Sequence, residues 1–190
     1  MDNTIIKTER LILREAQLSD KHFFYKLLNT PKWLKFIGDR GIKTLQDAED
    51  YIKDKLIQYY NKNGYGFYVM HLKELQLPIG ICGFVKREYL DSQDVGFALL
   101  PEFERNGYTY EAAIATIKYG ENQLNFNKIY AITSKDNIAS QKLLEKLGLK
   151  FNSNIDEPSN GEELSLYLKE AENMSDDELD KLIFTPEKVV

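Results

Sequence analysis

Cysteine is almost absent: Cys82 is the only one in 190 residues. One thiol can neither close an internal disulfide nor build a cysteine zinc site. Histidine is scarce as well, and His22 and His71 lie on different elements without a ligand-spaced companion. No metal is expected. Basic charge is not in surplus, because 25 Lys and Arg face 30 Asp and Glu, leaving a net charge of −5 and a pI near 5.2. Neutralising a phosphate backbone needs the opposite balance, so nucleic acid is excluded as the main partner. An acidic surface favours a cationic small molecule or a basic peptide. No apolar run approaches the roughly 20 residues of a membrane span, and Met1-Asp2-Asn3-Thr4 has neither a basic nor an apolar signal region. The expected setting is a reducing cytoplasm with no membrane partner.

Several catalytic signatures are missing too. There is no Gly-x-Ser-x-Gly elbow, no His-Glu-x-x-His, no phosphate loop ending in Gly-Lys-Ser/Thr and no Gly-x-Gly-x-x-Gly. Cys82 sits between Ile81 and Gly83 in an apolar strand, which suits an inert buried thiol better than a nucleophile.

What is present suits one domain. A 43% hydrophobic, 29% charged chain of this length can bury roughly 70% of its extended surface without staples. Leu11–Ala16 reads as a strand, Ser19-Asp20 as a cap for a helix over His22–Leu28, and Pro31 as its stop. Thr44 and Asp47 form a capping box before apolar positions at helical spacing through Tyr59. The period then changes to that of strands at Gly66–Leu72, Ile79–Val85 and Asp94–Leu100, an antiparallel meander. A helix over Thr109–Leu124, a strand over Lys128–Thr133 and a helix over Ile138–Leu147 follow, and that alternation requires a parallel crossover. Strands near Leu149–Phe151 and Leu164–Leu168 finish the domain. Residues 1–170 are expected to form it, leaving 171–190 as an acidic helical tail opened by Ser175-Asp-Asp-Glu178. Packing on the domain, an oligomer contact such as a homodimer, and fraying are all open to that tail.

The chemistry concentrates in Asp94–Glu111. On a strand Asp94, Gly96 and Ala98 share a face, so a carboxylate is followed by two very small residues. Pro101 ends the ladder, and Arg105-Asn106-Gly107 turns directly into a helix whose first N–H groups are unsatisfied and carry the positive end of its dipole. Glycine lets a bulky anion approach, which makes this a cradle suited to a pyrophosphate.

Asp136-Asn137-Ile138-Ala139-Ser140 and Leu143–Gly148 follow the next strand. With Asp94–Glu111 they resemble the GNAT superfamily of acyl-CoA-dependent N-acyltransferases. Thr8-Glu9-Arg10-Leu11-Ile12-Leu13-Arg14 is similar to the opening of its branch of ribosomal-protein N-terminal acetyltransferases (RimJ/RimL type). The resemblance spans about Ile5–Lys169 and implies a mixed α/β single domain. Its central sheet is largely antiparallel, with a parallel crossover from the Asp94–Leu100 strand to the Lys128–Thr133 strand and helices on both faces. It further implies an acetyl-CoA-dependent N-acetyltransferase acting on a primary amine, a peptide or protein N-terminus or a small molecule, by direct attack in a ternary complex. A non-catalytic CoA-binding or interaction protein on the same scaffold is the rival reading.

Carried over residue by residue, the resemblance assigns the backbone of Phe97, Ala98, Leu99 and Leu100 to the thioester and pantetheine arm. It assigns Arg105, Asn106, Gly107, Tyr108, Thr109 and Tyr110 to the phosphates and Asn137 to the arm. Glu104 and Thr109 depart from the family's phosphate loop, and Leu144 stands where many relatives place a tyrosine acid. Asp94 is the expected base, taking the amine proton through water, and Ser140 the donor to the departing sulfur. Trp33 and Phe36 are expected to line the substrate pocket, whereas Tyr51 and Tyr59 read as core. Asp94 has a plainer reading as a strand carboxylate paired with a lysine, and Ser140 as a helix residue bonded to its own turn.

Overall fold

Alternation of buried and exposed side chains, capping residues and one proline set the elements of the chain, for which we describe residues 3–158 and 160–171 of a computed structural model. Eight strands form one sheet: β1 (Thr4–Lys7), β2 (Leu11–Arg14), β3 (Phe67–Leu72), β4 (Leu77–Lys86), β5 (Gln93–Leu99), β6 (Lys128–Ser134), β7 (Lys150–Asp156) and β8 (Glu163–Glu170). Their spatial order is β1-β2-β3-β4-β5-β6-β8-β7. Every neighbouring pair is antiparallel except β5 and β6. The mixed α/β domain expected from the sequence is the one observed. Strand β1 has no counterpart in the sequence reading: four residues with one buried side chain, Ile6, give too little alternation to detect. The tail from residue 172 onward, with its capping box, lies outside the described residues.

The first helix, α1 (Lys21–Leu28), does not start on the expected cap. A 3₁₀ turn over Leu18–Asp20 precedes it, and the Asp20 carboxylate does not cap α1. It accepts from Gln17 N–H at 2.8 Å and is held by both terminal nitrogens of Arg14, at 2.8 and 2.7 Å. Pro31 ends α1 and opens α2 (Pro31–Phe36) at its first position, where the missing N–H costs nothing. The capping box forms as read: Thr44 Oγ1 accepts from Asp47 N–H and the Asp47 carboxylate accepts from Thr44 N–H, at 3.1 and 2.7 Å. It starts a helical rod of α3 (Leu45–Tyr51), a π-helical stretch (Ile52–Ile57) and α4 (Gln58–Asn63), closed by Gly64 in the left-handed region. The two later helices are α5 (Tyr108–Asn122) and α6 (Ile138–Lys146).

Register divides the sheet into two faces. Cys82, Phe84, Val95 and Phe97 lie on the α5 side: Phe84 presses on Gly120, and the Cys82 thiol meets Thr116, its pKa pushed up to about 12 by burial. That thiol is inert. The opposite face carries Val85, Asp94, Gly96 and Ala98, with the Phe67 ring against Gly96, and there the α3–α4 rod supplies Tyr51, Leu56 and Tyr59. Helices therefore cover both faces.

Candidate active site

The defining feature is where the sheet fails to close. β5 pairs with β4 along its whole length, from Gln93↔Lys86 to Leu99↔Gly80. With β6 it pairs at only two positions, Gln93↔Ile129 and Asp94↔Tyr130. Past Asp94 the two parallel strands part, and the gap opens toward their carboxyl ends, where open sheets bind ligands. The N–H and C=O groups of a strand alternate between its two edges. Leu100 N–H donates to Ile79 O at 2.8 Å, so Ala98 and Leu100 turn their amides to β4. Phe97 and Leu99 turn theirs to the gap. The four backbone positions singled out in the sequence thus divide into two that face the opening and two that hold its wall.

Both helices that start at this end bring their N-termini to it. Before α5, Arg105 (φ 65°) and Gly107 (φ 80°) are both left-handed. That conformation is natural for glycine and strained for arginine. Around Gly107 the space is open: an added Cβ would meet only Arg10 Nη2, at 3.5 Å. Asn106 braces the loop, its Nδ2 donating to the carbonyls of Phe103 and Glu104 at 3.2 and 3.0 Å. Arg105, Asn106 and Gly107 are exposed or nearly so, whereas Tyr108, Thr109 and Tyr110 are half-buried. Lys146 lies over the Tyr110 ring at 4.3 Å, tying α6 to α5.

Two local charges alter the electrostatics. Glu104, an anion beside a phosphate cradle, is ion-paired with Lys32 of α2, and Glu102 with Lys26 of α1. Neither carboxylate is left to repel an incoming anion. Arg10, from the β1–β2 turn, reaches the same loop: it donates to Asn106 O at 3.0 Å and to Glu111 at 2.6 Å, and it lies over the Tyr108 ring at 4.6 Å. No local pattern in the sequence assigns Arg10 this role. Only the chain's path brings it within reach.

Asp94 occupies the apex of the gap, the last paired position on β5. It is 3% exposed, and its partner is Arg87 Nε at 2.6 Å, not a lysine. Burial pushes its pKa up to about 6, against the pull of the Arg87 charge and the Ile132 N–H. Arg87 continues the network, donating to Tyr89 Oη at 3.3 Å, and Tyr89 donates to Glu157 at 2.8 Å.

At the start of α6 the Asn137 side chain accepts from Ser140 N–H at 3.2 Å, so it caps the helix with Oδ1 and leaves Nδ2 for another partner. Ser140 is half-buried, and Leu144 is sealed in the core at 1% exposure. The two expected pocket residues separate. Trp33 is 5% exposed in the core, its indole N–H without a hydrogen-bond partner among the described residues. It lines neither the cleft beside the α3–α4 rod nor the one at the end of β6. Phe36 borders a cleft of about 190 Å³ with Ser134 and Asp136 at the end of β6. Among the described residues no group of histidine, cysteine and carboxylate side chains is arranged to hold a metal.

Comparison with known proteins identifies the family and the fold. The family described as the acetyltransferase (GNAT) domain matches residues 10–150. The uncharacterised N-acetyltransferase YnaD of Bacillus subtilis is 29% identical over 146 residues, which is 76% of this chain and 82% of that protein. A GNAT-family acetyltransferase from Bacillus anthracis superposes with a TM-score of 0.72 at 25% identity, over 87% of this chain and 97% of that one. The ribosomal-protein-S5-alanine acetyltransferase from Vibrio fischeri shares the fold, with a TM-score of 0.75 at 19% identity, covering 88% and 97% of the two chains.

Proposed function

The chain belongs to the GNAT acetyltransferase family and is an acetyl-CoA-dependent N-acetyltransferase, and from that premise we propose that its acceptor is an α-amine whose proton passes through water to Asp94. The parted β5–β6 ladder with a buried, ion-paired carboxylate at its apex carries this reading.

The residues present fit acetyl-CoA. Open space at left-handed Gly107, the free N–H groups of α5 and the Arg105 charge suit a pyrophosphate. The extended gap edge of Phe97 and Leu99 suits the pantetheine arm, with Asn137 Nδ2 beside it. Acetyl-CoA supplies the activated acetyl thioester. The strand N–H groups of Phe97 and Leu99 orient and polarise its carbonyl, a preorganised arrangement that needs no rearrangement during reaction. Asp94 receives the amine proton: a carboxylate with a pKa near 6 is mostly ionised at neutral pH yet more basic than an exposed aspartate. The Ser140 hydroxyl would donate a hydrogen bond to the sulfur, which would leave as a thiolate and take its proton from solvent. With an apolar Leu144 in place of a phenol, no tyrosine fills that role at this position.

The α-amine preference rests on proton availability. An α-amino group has a pKa of about 7.7–8.0, whereas a lysine amine near 10.4 is almost wholly charged. Matched peptides with free and with blocked N-termini, each carrying lysines, test it through thiol release from acetyl-CoA. The free peptide should show the higher kcat/KM; equal rates on both would remove the α-amine assignment.

A further inference from the structure

The face of the sheet that carries Asp94 also bounds a cavity of about 300 Å³. Tyr51 and Tyr59 wall it from the α3–α4 rod, and Phe67 and Val85 wall it from β3 and β4. Its rim holds Arg40 and Lys55, both exposed, and the lining contains no acid. Neither cation forms an ion pair among the described residues, although Arg10, Arg14, Arg87, Lys21, Lys26 and Lys32 all do.

The cavity lies next to the reacting end of the site. Val85 stands directly opposite Asp94 in the β4–β5 register, on the same face. Phe67 covers Gly96, where an added Cβ would sit 2.9 Å from the ring. Val85 in the cavity wall and Asp94 at the gap's apex stand on adjacent strands, which lie about 4.8 Å apart. An amine anchored in the cavity can therefore present its nitrogen along Val85 to the Asp94 end.

We propose that this cavity receives the acceptor, and that Arg40 and Lys55 select amines carrying a carboxylate beside an apolar or aromatic body. Aromatic walls favour such a body through area burial and edge-to-face contact. Asp39 and Asp54 adjoin the two cations in the chain, yet neither forms an ion pair among the described residues and neither lines the cavity, so the rim favours a negative group. This local lining runs against the net charge of −5, which by itself favours a cationic ligand. Local charge governs a small ligand because bulk charge is screened over about 8–10 Å at ordinary ionic strength. The inference rests on the acetyltransferase reading above.

The test uses two α-amines of similar basicity, glycyl-phenylalanine and its neutral C-terminal amide. The carboxylate-bearing amine should have a KM about twofold to thirtyfold lower, the range for two exposed ion pairs. In the double variant Arg40→Gln/Lys55→Gln that gap should close, with KM for the amide and for acetyl-CoA unchanged. No preference in the wild type, or a preference that survives in the variant, overturns the proposal. Binding is read separately with 3-phenylpropionate, which cannot be acetylated. It should raise the melting temperature of the wild type and not of the variant. No shift in the wild type overturns the cavity assignment, whether or not either amine is turned over. Loss of thiol release with every amine, while 3-phenylpropionate still binds, faults the catalytic reading instead.

Discussion

Replacing Arg87 by glutamine removes the positive charge 2.6 Å from the Asp94 carboxylate while keeping most of the side chain's bulk. In the wild type burial holds Asp94 at a pKa of about 6, and Arg87 is the first influence opposing that rise. An opposite charge at this range lowers a carboxyl pKa by about one to three pH units. Without it, the ionisation of Asp94 moves to about 7–9. The base must be ionised to accept a proton, so the rising limb of kcat/KM against pH should shift from about 6 to that range. With a limb at about 8, activity at pH 7 falls about tenfold and recovers by pH 9. Stability gives a second readout. The folded-state pKa lies above the ~3.9 of an unfolded aspartate, so Asp94 costs nothing below about pH 4. Its ionised form is disfavoured in the fold, and stability falls as pH rises from the unfolded value to the folded one. The variant extends that loss: whatever its difference from the wild type at pH 4, where the contact of Arg87 to Tyr89 is already lost, the gap should widen by about 1–4 kcal/mol by pH 9, from 1.36 kcal/mol per pH unit. Full pH–rate profiles and melting curves at both pH values measure these effects. A limb that stays near 6 in the Arg87 variant, with activity lowered equally at every pH, refutes the idea that Arg87 sets the charge of Asp94. A wild-type profile without a limb near 6 refutes Asp94 as the base.

Asp94→Asn should lower kcat by about 10²–10⁴-fold while leaving the acetyl-CoA dissociation constant nearly unchanged, since a base acts on the amine; calorimetric titration beside steady-state kinetics separates the two. Acetyl-CoA at a hundredfold excess over its dissociation constant should stabilise the wild type by about 2.7 kcal/mol. Gly107→Val should abolish most of that gain by filling the open space at a left-handed residue, and a full melting shift in the variant would contradict the phosphate assignment. Ser140→Ala should cost less than about tenfold in kcat, because water can replace a hydroxyl donor at a half-buried position; a loss as large as that of Asp94→Asn would make the hydroxyl indispensable.

The strands other than β1, the helices other than α2 and the order of the motifs are legible in the sequence because their signals are local. Apolar runs along β4 and β5, the Thr44–Asp47 box and the proline at the start of α2 each involve residues a few positions apart. The same locality puts Asp94, Gly96 and Ala98 on one face from their spacing alone, since a strand has a period of two. The sequence misleads where a local signal competes with a distant partner. Asp20 has the composition of a helix cap, yet the Arg14 guanidinium takes its carboxylate.

Sequence by itself thus determined the order of the elements apart from β1 and α2, the small-residue face of β5 and the glycine turn into α5, because backbone sterics and side-chain period act over one or two turns of chain. Tertiary structure alone decided which charges meet. Lys32 neutralises Glu104 from 72 positions away and Arg10 reaches Glu111 across 101. Asp94 meets Arg87 because a hairpin folds β4 back on β5. It also decided that β5 and β6 separate after two paired positions, which leaves Phe97 and Leu99 facing a gap while Ala98 and Leu100 stay bound to β4. An ion pair or an open ladder depends on distances in space, and those follow from how the whole sheet is assembled and not from the spacing of residues along the chain.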